Sequence, residues 1–306
     1  MKNKMIFGLH ACTSIHAGAG SSLGVIDLPI QREGHNGWPC VFGSAMKGAL
    51  RAHAENFWHD NLGMVLSMFG PDTNNASEYA GAIMVSDARL LLLPVRSLTS
   101  QFKWVTCPQA LVRFKVDCKR FGCLEPELPE SLNELTNDCA LVPDEASPGN
   151  LYLEEYRFET KSQDFAKIIE HIAPLMSDAN YAEAVLGQQL VIISDDMFSH
   201  LCTHATPVSP HIAIDTETGT VKGGALWYEE TLPPETLLYS GIHTTKSRMP
   251  RTKGEPPSAK ETPVVIADSA SMADKFRDLF HDDPWLQIGG NETVGMGWVN
   301  INEYGV

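Results

Sequence analysis

One aspartate in a glycine-flanked loop is the first side chain of this sequence that could do chemistry. Asp27 lies in GVIDLPIQR, between glycines and a Leu-Pro pair. A loop carboxylate can hold a Mg²⁺ or Mn²⁺ ion whose other ligands are water and substrate oxygens, because these hard ions keep much of their hydration. It can also accept a proton directly. The competing interpretation is that Asp27 caps a turn, and the residue pattern alone favours that one.

Two histidines precede this loop. His10 lies on the preceding strand, and His16 stands in SIHAGAG, where an imidazole could act as a general acid or contact a ligand. A lone histidine beside glycines is more often a hydrogen-bonded loop residue, so His16 is a minor catalytic candidate. Glu33 and His35 in QREGHNG could assist a metal ion, but polar loop residues usually just meet water.

A helix with basic residues on one face follows. GSAMKGALRAHAENFW repeats apolar residues at helical spacing, with Ser44 a plausible N-cap. Lys47 and Arg51, four residues apart, share a face of this helix. Gly43 and Ser44 could offer amide and hydroxyl donors to a phosphate at the helix N-terminus. The alternative is a solvated helix face.

Two further arginines and a glycine-rich segment are candidates for contacts with a ligand. Arg89 and Arg96 flank the apolar run LLLLPV, where Asp87 could pair with one of them. The closing IGGNETVGMGW has glycines that let a backbone approach a ligand closely, and these are Gly289, Gly290, Gly295 and Gly297. Tight turns around a buried Trp298 are the alternative. The segment is not a GxGxxG dinucleotide motif.

The charge is distributed unevenly along the chain. The 306 residues carry a net charge of −15, which by itself argues against a nucleic-acid-binding protein. Residues 123–159, however, hold ten acidic side chains and one basic one, so this segment carries −9 and the rest only −6. Basic residues cluster between 89 and 120 and again at Lys246, Arg248, Arg251 and Lys253. Both basic clusters could face a phosphate backbone.

Cysteine usage and hydropathy predict a cytoplasmic protein. Seven cysteines are an odd number scattered over a long chain, unlike a secreted disulfide scaffold. Cys118 and Cys123 form a close pair, but no second pair at zinc-ligand spacing follows, which disfavours structural zinc. The N-terminal alternation predicts a strand and not a signal peptide, and no window approaches the length of a membrane span.

Strands and helices interleave along the sequence. Apolar residues at 5, 7, 9 and 11 predict a half-buried strand, and AGAIMVSDARLLLLPV and LVIISDD predict further strands. Helices are predicted at 44–57, near 109–121 and around 270–280. The acidic composition of residues of about 123–150 predicts an insertion outside the core, as a loop or a small subdomain. HIAIDTETGTVKGGALWYEE predicts a β-hairpin. TTKSRMPRTKGEPPSAKETP has the composition of a mobile basic loop, at about 244–263.

Four stretches in one order resemble the RAMP superfamily, and most closely the repeated backbone subunit of type III-B (Cmr) CRISPR complexes. They are SIHAGAG with GVIDLPIQR, then CVFGSAMKGALR, then AGAIMVSDARLLLLPVRSL with WVTCP, and finally IGGNETVGMGW preceded by TVKGGALWYEE. Each motif alone is weak. Together, in this order and across most of the chain, they make a specific match.

The resemblance implies a fold and partners. It implies an α+β chain that forms one RAMP domain over 1–306, with a ferredoxin-like (RRM-type) core carrying insertions and a protruding thumb β-hairpin at about 205–232. Copies would stack along a guide crRNA together with other Cmr subunits, and complementary target RNA would be cut at regular intervals where thumbs interrupt the duplex. No membrane partner is implied.

The resemblance also assigns roles to residues. Asp27 matches the position of the family's cleavage carboxylate and would be the Mg²⁺ or Mn²⁺ ligand, with no organic cofactor. Guide-RNA contacts are expected from the candidate residues of the first helix, the two arginines and the closing loop, namely Ser44, Lys47, Arg51, Arg89, Arg96, Gly289, Gly290, Gly295 and Gly297. The thumb side chains that could wedge between base pairs are His211, Ile212, Ile214, Val221, Leu226 and Trp227. His211 stands where relatives often carry a basic residue.

Two other functions remain open at this stage. The chain could be a structural RAMP subunit that binds guide RNA without a working nuclease. It could also be a guide-processing endoribonuclease that uses histidine chemistry, although such an enzyme has no need of the hairpin and the GALWYEE element. The presence of Asp27 in IDLPIQR favours the metal-dependent target nuclease.

Overall fold

Strands and helices alternate through most of the chain in a computed structural model that describes residues 3–72, 78–143, 149–248 and 264–305. The strands in these residues are β1 (Lys4–Ala11), β2 (Cys40–Val41), β3 (Ile83–Val85), β4 (Ala88–Arg96), β5 (Phe102–Thr106), β6 (Cys139–Pro143), β7 (Asn150–Leu153), β8 (Tyr156–Gln163), β9 (Leu190–Ile193), β10 (Val208–Ile214), β11 (Val221–Glu230), β12 (Leu237–Thr244), β13 (Trp285–Gln287) and β14 (Trp298–Glu303). The helices are α1 (Gly43–Phe57), α2 (Leu62–Phe69), α3 (Pro108–Phe121), α4 (Ala166–Ile172), α5 (Ala179–Gln189), α6 (Asp195–His204) and α7 (Ser269–Asp278). Among the described residues, no helix is both long and apolar enough to cross a membrane.

One large mixed sheet organises these elements. Its strand order is β13-β14-β1-β12-β4-β5-β9-β6-β8-β7, with β2 pairing with β4 and β3 with β12. The four strands β14, β1, β12 and β4 are antiparallel to their neighbours, whereas β5 with β9 and β6 with β8 are parallel. The mixed α+β class predicted from the sequence is therefore present.

Helices cover both faces of the sheet. Met46 and Leu50 of α1 and Phe276 of α7 belong to the apolar cluster on one face, whereas Leu111 and Phe114 of α3 belong to the cluster on the other. The predicted helices at 109–121 and 270–280 are confirmed as α3 and α7. The predicted helix at 44–57 is confirmed as α1.

Strand β1 is more deeply buried than its sequence pattern predicted. Met5, Phe7 and Leu9 pack on one face as the alternation indicated, but Ile6 is also fully buried, in the cluster on the opposite face. The half-buried strand was a wrong prediction because helices pack on both sides of the sheet. A strand covered on two faces can bury residues of either parity.

The acidic segment contributes a strand to the main sheet. Residues Cys139–Pro143 form β6, which lies between β9 and β8. This part of the segment therefore belongs to the sheet and is not an excursion from the core. Its acidic side chains, such as Glu125, Glu127 and Glu130, face solvent.

The predicted hairpin forms a separate two-stranded sheet. Strands β10 and β11 pair with each other and with no other strand of the described residues, and the turn between them contains the predicted Thr-Glu-Thr-Gly. Asp215 organises that turn, because its carboxylate accepts hydrogen bonds from the backbone N–H groups of Glu217 and Thr218. These bonds lower the pKa of the Asp215 carboxyl. The predicted mobile basic loop lies outside the described residues from 249 onward.

Strand β1 also depends on one glycine. A Cβ atom at Gly8 would lie 2.2 Å from the carbonyl oxygen of Leu175 and 2.6 Å from its Cβ. Because both contacts involve atoms close to the backbone, a side chain at position 8 would force the short turn Ala173–Leu175 away from the sheet. Close packing here therefore requires glycine.

We expect Gly8→Ala to lower the free energy of unfolding by about 1–3 kcal/mol through overpacking. The matched control is Gly187→Ala in α5, where nothing lies within 4 Å of the added Cβ. The control should be neutral or stabilise by up to about 1 kcal/mol because alanine favours helix. Urea unfolding of the full chain measures both, and equal effects of the two substitutions would contradict this packing argument.

Candidate cleavage site and nucleic-acid interface

Asp27 lies at the base of the hairpin and is held there by strand β11. Its Oδ2 accepts a hydrogen bond of 2.8 Å from the backbone N–H of Tyr228. The next residue, Leu28, donates to the carbonyl of Tyr228 at 3.0 Å and accepts from the N–H of Glu230 at 3.0 Å. The carbonyl of Asp27 accepts from Ser22 at 2.8 Å. The carboxylate thus sits, half-buried, where the hairpin joins the body of the protein.

His16 reaches the same end of β11. Its Nδ1 lies 2.8 Å from the carbonyl oxygen of Glu230, and because a carbonyl can only accept, Nδ1 must carry the proton. In the neutral ring Nε2 is then an acceptor, so a general-acid role requires the doubly protonated ring. Glu229 Oε1 lies 3.8 Å from Nδ1. The two catalytic candidates from the sequence therefore contact residues two positions apart on one strand.

The chain itself offers few ligands for a metal ion. In the ranges that the structure describes, no group of three or more His, Cys, Asp or Glu side chains could hold one. The Glu33 carboxylate pairs with Arg113 and accepts a hydrogen bond from the side-chain amide of Asn36. His35 lies 3.6 Å from the same carboxylate, so Glu33 and His35 stabilise their own loop. A single hard carboxylate at Asp27 fits only an ion that water and a phosphate oxygen help to hold.

The N-terminus of α1 differs from the prediction. Ser44 was expected as the N-cap, but the cap residue is Phe42, and Ser44 is exposed in the first turn. Asp87 supplies the missing acceptor, because its Oδ1 accepts from Gly43 N–H at 2.7 Å. A carboxylate from another segment thus occupies the positive end of the helix, which weakens that end as a phosphate site. The cap was missed because Asp87 is distant in sequence.

Lys47 and Arg51 face a common cavity. The cavity has a volume of about 730 Å³ and is lined by both side chains and by Arg248. Burial lowers the pKa of Lys47, and the charges of Arg51 and Arg248 lower it further. Arg51 also bonds within the protein, to Glu55 and to two backbone carbonyls. Of the predicted basic run at 246–253, Arg251 and Lys253 lie outside the described residues.

Arg89 and Arg96 both have carboxylate partners inside the protein. Arg89 donates to Asp117 Oδ2 at 2.9 Å, and Arg96 makes two bonds to Glu154. Asp87, which the sequence offered as a partner for one of them, caps α1 instead. Their positive charge is therefore compensated within the chain, which makes each a weaker candidate for a phosphate contact than its sequence position indicated.

The glycine-rich loop packs against the segment that carries His16. Gly289 has φ +82°, and a Cβ on it would lie 2.5 Å from the carbonyl oxygen of His16. Gly290 donates its N–H to that same oxygen at 2.8 Å. Gly297 has φ +85° and allows no Cβ beside the Ile288 carbonyl, whereas Gly295, at φ +84°, faces open space. Packing therefore requires glycine at 289 and 297, whereas a Cβ at Gly290 would make only ordinary contacts, 3.6 Å from the His16 ring. Of these four glycines, Gly295 alone combines a left-handed backbone with an open surface.

The exposure of Trp298 contradicts one interpretation of this loop. The alternative to ligand binding was a set of tight turns around a buried tryptophan, but Trp298 is 41% exposed. The loop instead turns around Asn291, which has φ +61° and donates from its side chain to the carboxylate of Glu229. An asparagine can adopt this backbone conformation at low cost.

The hairpin presents apolar side chains to solvent. Ile212 and Leu226 are partners across the two strands, as are Ile214 and Val221, and all four are about half-exposed. His211 and Trp227 form the neighbouring pair on the side of Ile212 and Leu226 towards the hairpin base. Their side chains point to the opposite face of the hairpin, with the ring centroids stacked 5.6 Å apart. The four exposed aliphatic residues are therefore better placed to meet a partner than the stacked tryptophan is.

Sequence reasoning missed the buried polar residues that organise this region. Glu229 and Glu230, at the end of β11, are 4% and 2% exposed, and Glu230 pairs with Arg32. A signal was present, because two adjacent glutamates that close an alternating strand cannot both face solvent. Asp117, which pairs with Arg89 and Tyr239, carried no comparable signal.

The fold and the site define a mixed α+β protein with a separate hairpin and a carboxylate at the hairpin's base. A model of the RAMP superfamily matches residues 9–300, and the chain belongs to this superfamily. The resemblance seen in the four sequence motifs is thereby confirmed.

Individual relatives agree with this assignment. The chain is 37% identical to the CRISPR system Cmr endoribonuclease Cmr4 of Pyrococcus furiosus, over 97% of this chain and 94% of that one. It is 23% identical to the CRISPR system CMR subunit Cmr4 of Saccharolobus solfataricus, over 96% and 94%. Oligomeric Cmr4 of Pyrococcus furiosus superposes with a TM-score of 0.71 at 28% identity, covering 100% of this chain and 99% of that one. A chain of the type III-B Cmr-beta complex bound to cognate target RNA shares the fold, with a TM-score of 0.72 at 20% identity over 99% and 98%.

Two glycines of the closing loop allow a matched test of its packing. We expect Gly289→Ala to cost about 1–3 kcal/mol more than Gly295→Ala, because both positions strain an alanine backbone but only Gly289 also brings a Cβ against a carbonyl. Urea unfolding of the full-length variants measures the difference. Equal losses of stability would show that the loop does not pack on His16 in this way.

Proposed function

We propose that this chain is the backbone subunit of a type III-B CRISPR ribonucleoprotein, which binds guide crRNA and cleaves complementary target RNA at regular intervals. The observation that carries the proposal is the placement of Asp27 at the base of the hairpin, bonded to Tyr228. The 37% identity to a Cmr endoribonuclease over nearly the whole chain supports the same activity.

The fold is consistent with a ferredoxin-like core. In chain order β1, α1, β4, β12, α7 and β14 form a β-α-β-β-α-β unit, and their sheet order is β14-β1-β12-β4. In such a split unit the first strand lies between the fourth and the third. The residues between β4 and β12 then form insertions that extend the sheet and provide the hairpin, which we assign as the thumb.

Cleavage of an RNA strand requires a 2′-hydroxyl made more nucleophilic and an attack in line with the leaving oxygen. Asp27 would hold a divalent ion or, as the alternative, accept the proton of the 2′-hydroxyl directly, and Tyr228 N–H fixes the orientation of its carboxylate. The aliphatic side chains of the hairpin, Ile212 and Leu226 among them, would separate neighbouring base pairs and turn the backbone away from A-form geometry. His16 would position the segment or serve as a secondary proton donor.

A divalent ion is part of this proposal. Mg²⁺ or Mn²⁺ at Asp27 would neutralise charge on the scissile phosphate. Because the chain supplies one carboxylate there, the ion would be weakly held until RNA is bound. The isolated subunit should therefore be nearly inactive, and the assembled complex should need added metal.

The partners follow from the same assignment. Guide crRNA would contact the face of α1 that carries Lys47, and the open Gly295 could add a backbone amide. Further copies of the chain would stack along the guide with other Cmr subunits. The solved relatives include an oligomeric Cmr4 and a Cmr-beta complex bound to cognate target RNA, which supports such an assembly. A complex of this kind acts in the cytoplasm.

Asp27→Asn should abolish cutting of a labelled complementary RNA by the assembled complex while leaving RNA binding unchanged, because the amide keeps the shape and loses the charge. The control is Asp138→Asn, an exposed carboxylate in the acidic segment. Cleavage products are mapped on gels with and without a chelator. Cutting that survives in Asp27→Asn would refute the site, and cutting that survives the chelator would favour the histidine-dependent alternative. Binding without cutting by the wild type would indicate a purely structural subunit.

Lys47→Ala should weaken guide-RNA binding and reduce the dependence of log K on log salt concentration by about 0.7, the value for one phosphate contact on a single strand. The control is Lys167→Ala, a lysine on α4 that lies 3.5 Å from Glu170 and away from the cavity. Titration of the complex's subunits with guide RNA at several salt concentrations measures both. An unchanged slope in Lys47→Ala would exclude a phosphate contact at this residue.

A further inference from the structure

Glu230 is a buried carboxylate with three donors, two from the segment after Asp27 and one from the residue Thr206. It lies at the last position of β11 and is 2% exposed. Its Oε1 accepts from Arg32 and from the hydroxyl of Thr206 at 2.6 Å, and its Oε2 accepts from the backbone N–H of Ile30 at 3.1 Å. A buried carboxylate is costly unless it is paired and fully hydrogen-bonded, and here it is.

Arg32 extends this cluster into the body of the protein. Its Nη1 donates to the carbonyl of Gly37 at 2.7 Å and to that of Cys202 at 2.9 Å, near the end of α6. The guanidinium therefore joins β11, the loop after Asp27 and α6 in one network. Removing Arg32 would leave Glu230 buried without its charge partner, and removing the charge of Glu230 would leave the partly buried Arg32 without a carboxylate.

The segment 27–32 is thereby bound to β11 along its whole length. Asp27 and Leu28 bond to the backbone of Tyr228, Leu28 also bonds to the N–H of Glu230, and Ile30 and Arg32 bond to the Glu230 side chain. The same strand carries the exposed residues of the hairpin. Any displacement of the hairpin strand must therefore move the Asp27 carboxylate with it.

We propose that Glu230 is a positioning residue for cleavage, which holds Asp27 on the hairpin strand so that the hairpin and the carboxylate meet the RNA as one rigid unit. This inference rests on the proposed function and adds the residue that couples its two parts. Misplacement of a reacting group by about 1 Å can cost about 10²-fold in rate. A loosened segment would therefore slow cutting without changing what is bound or where it is cut.

Single-turnover cleavage by the assembled complex tests this role. At a temperature where the variant complex remains folded, Glu230→Gln should lower the cleavage rate at least about tenfold, while target affinity and cut positions change little. Thr206→Val, which removes one of the three donors, should give a smaller loss of rate with the fold retained. The double variant Glu230→Gln with Arg32→Gln should be faster than Glu230→Gln alone, because it no longer leaves the partly buried Arg32 without a carboxylate.

The matched control is Glu303→Gln, which breaks a two-bond pair with Arg277 between β14 and α7, away from Asp27. It should leave the ratio of cleavage rate to target affinity unchanged. If Glu230→Gln cuts at the wild-type rate, or loses affinity and thermal stability in proportion to rate, then Glu230 has no positioning role. Such a result leaves the proposed function intact provided that the wild type cuts and Asp27→Asn does not. A wild-type complex that does not cut overturns both.

Discussion

Residues 12–39 form no helix or strand, so their buried backbone N–H and C=O groups need other hydrogen-bond partners. The position of the candidate site depends on which partners they find. Buried N–H and C=O groups need partners, and this segment obtains them through short bridges such as Ile15 with Leu232, Gly18 with Ile30 and Leu28 with Glu229. The bridges reach three neighbours: the segment itself, the hairpin strand and the start of the connection to β12. Asp27 and His16 come together for that reason, although neither lies on a strand or a helix.

Electrostatic compensation inside the chain is the second feature that shapes the surface. Glu33, Asp117, Glu154 and Glu230 each pair with an arginine, so several of the basic residues that stood out in the sequence are neutralised locally. Lys47 differs, because the charges that act on it are those of Arg51 and Arg248, and its pKa is lowered. The cavity beside α1 thus brings three basic side chains together in a chain with a net charge of −15, although Glu55 and Asp72 also line it.

The hairpin and the glycine-rich loop meet at one residue pair. Asn291, in a left-handed conformation, donates to Glu229, which is the neighbour of Glu230 on β11. Through these two glutamates, the base of the hairpin contacts the segment of His16, the segment of Asp27 and the closing loop. The junction requires glycine at positions 289 and 297, because a Cβ at either position would collide with a backbone carbonyl.

Much of this arrangement was predictable from local patterns. The periodicity of apolar residues predicted α1, α3 and α7, the turn residues predicted the hairpin, and four motifs in order predicted the superfamily. Local patterns succeed there because helices, strands and turns are decided by residues close in sequence. They did not predict the burial of Ile6, the capping of α1 by Asp87 or the pairing of Arg89 with Asp117, since each depends on a residue far away along the chain.

The sequence by itself thus determined the class of fold, the presence of the hairpin and the superfamily. Only the tertiary structure decided which arginines keep an uncompensated charge, which glycines are required by packing, and that Asp27 is carried by the hairpin strand. The physical reason is that charge pairing, close packing and backbone satisfaction in loops are contacts between distant segments. Their partners are chosen when the sheet and its helices come together, and no local spacing encodes that choice.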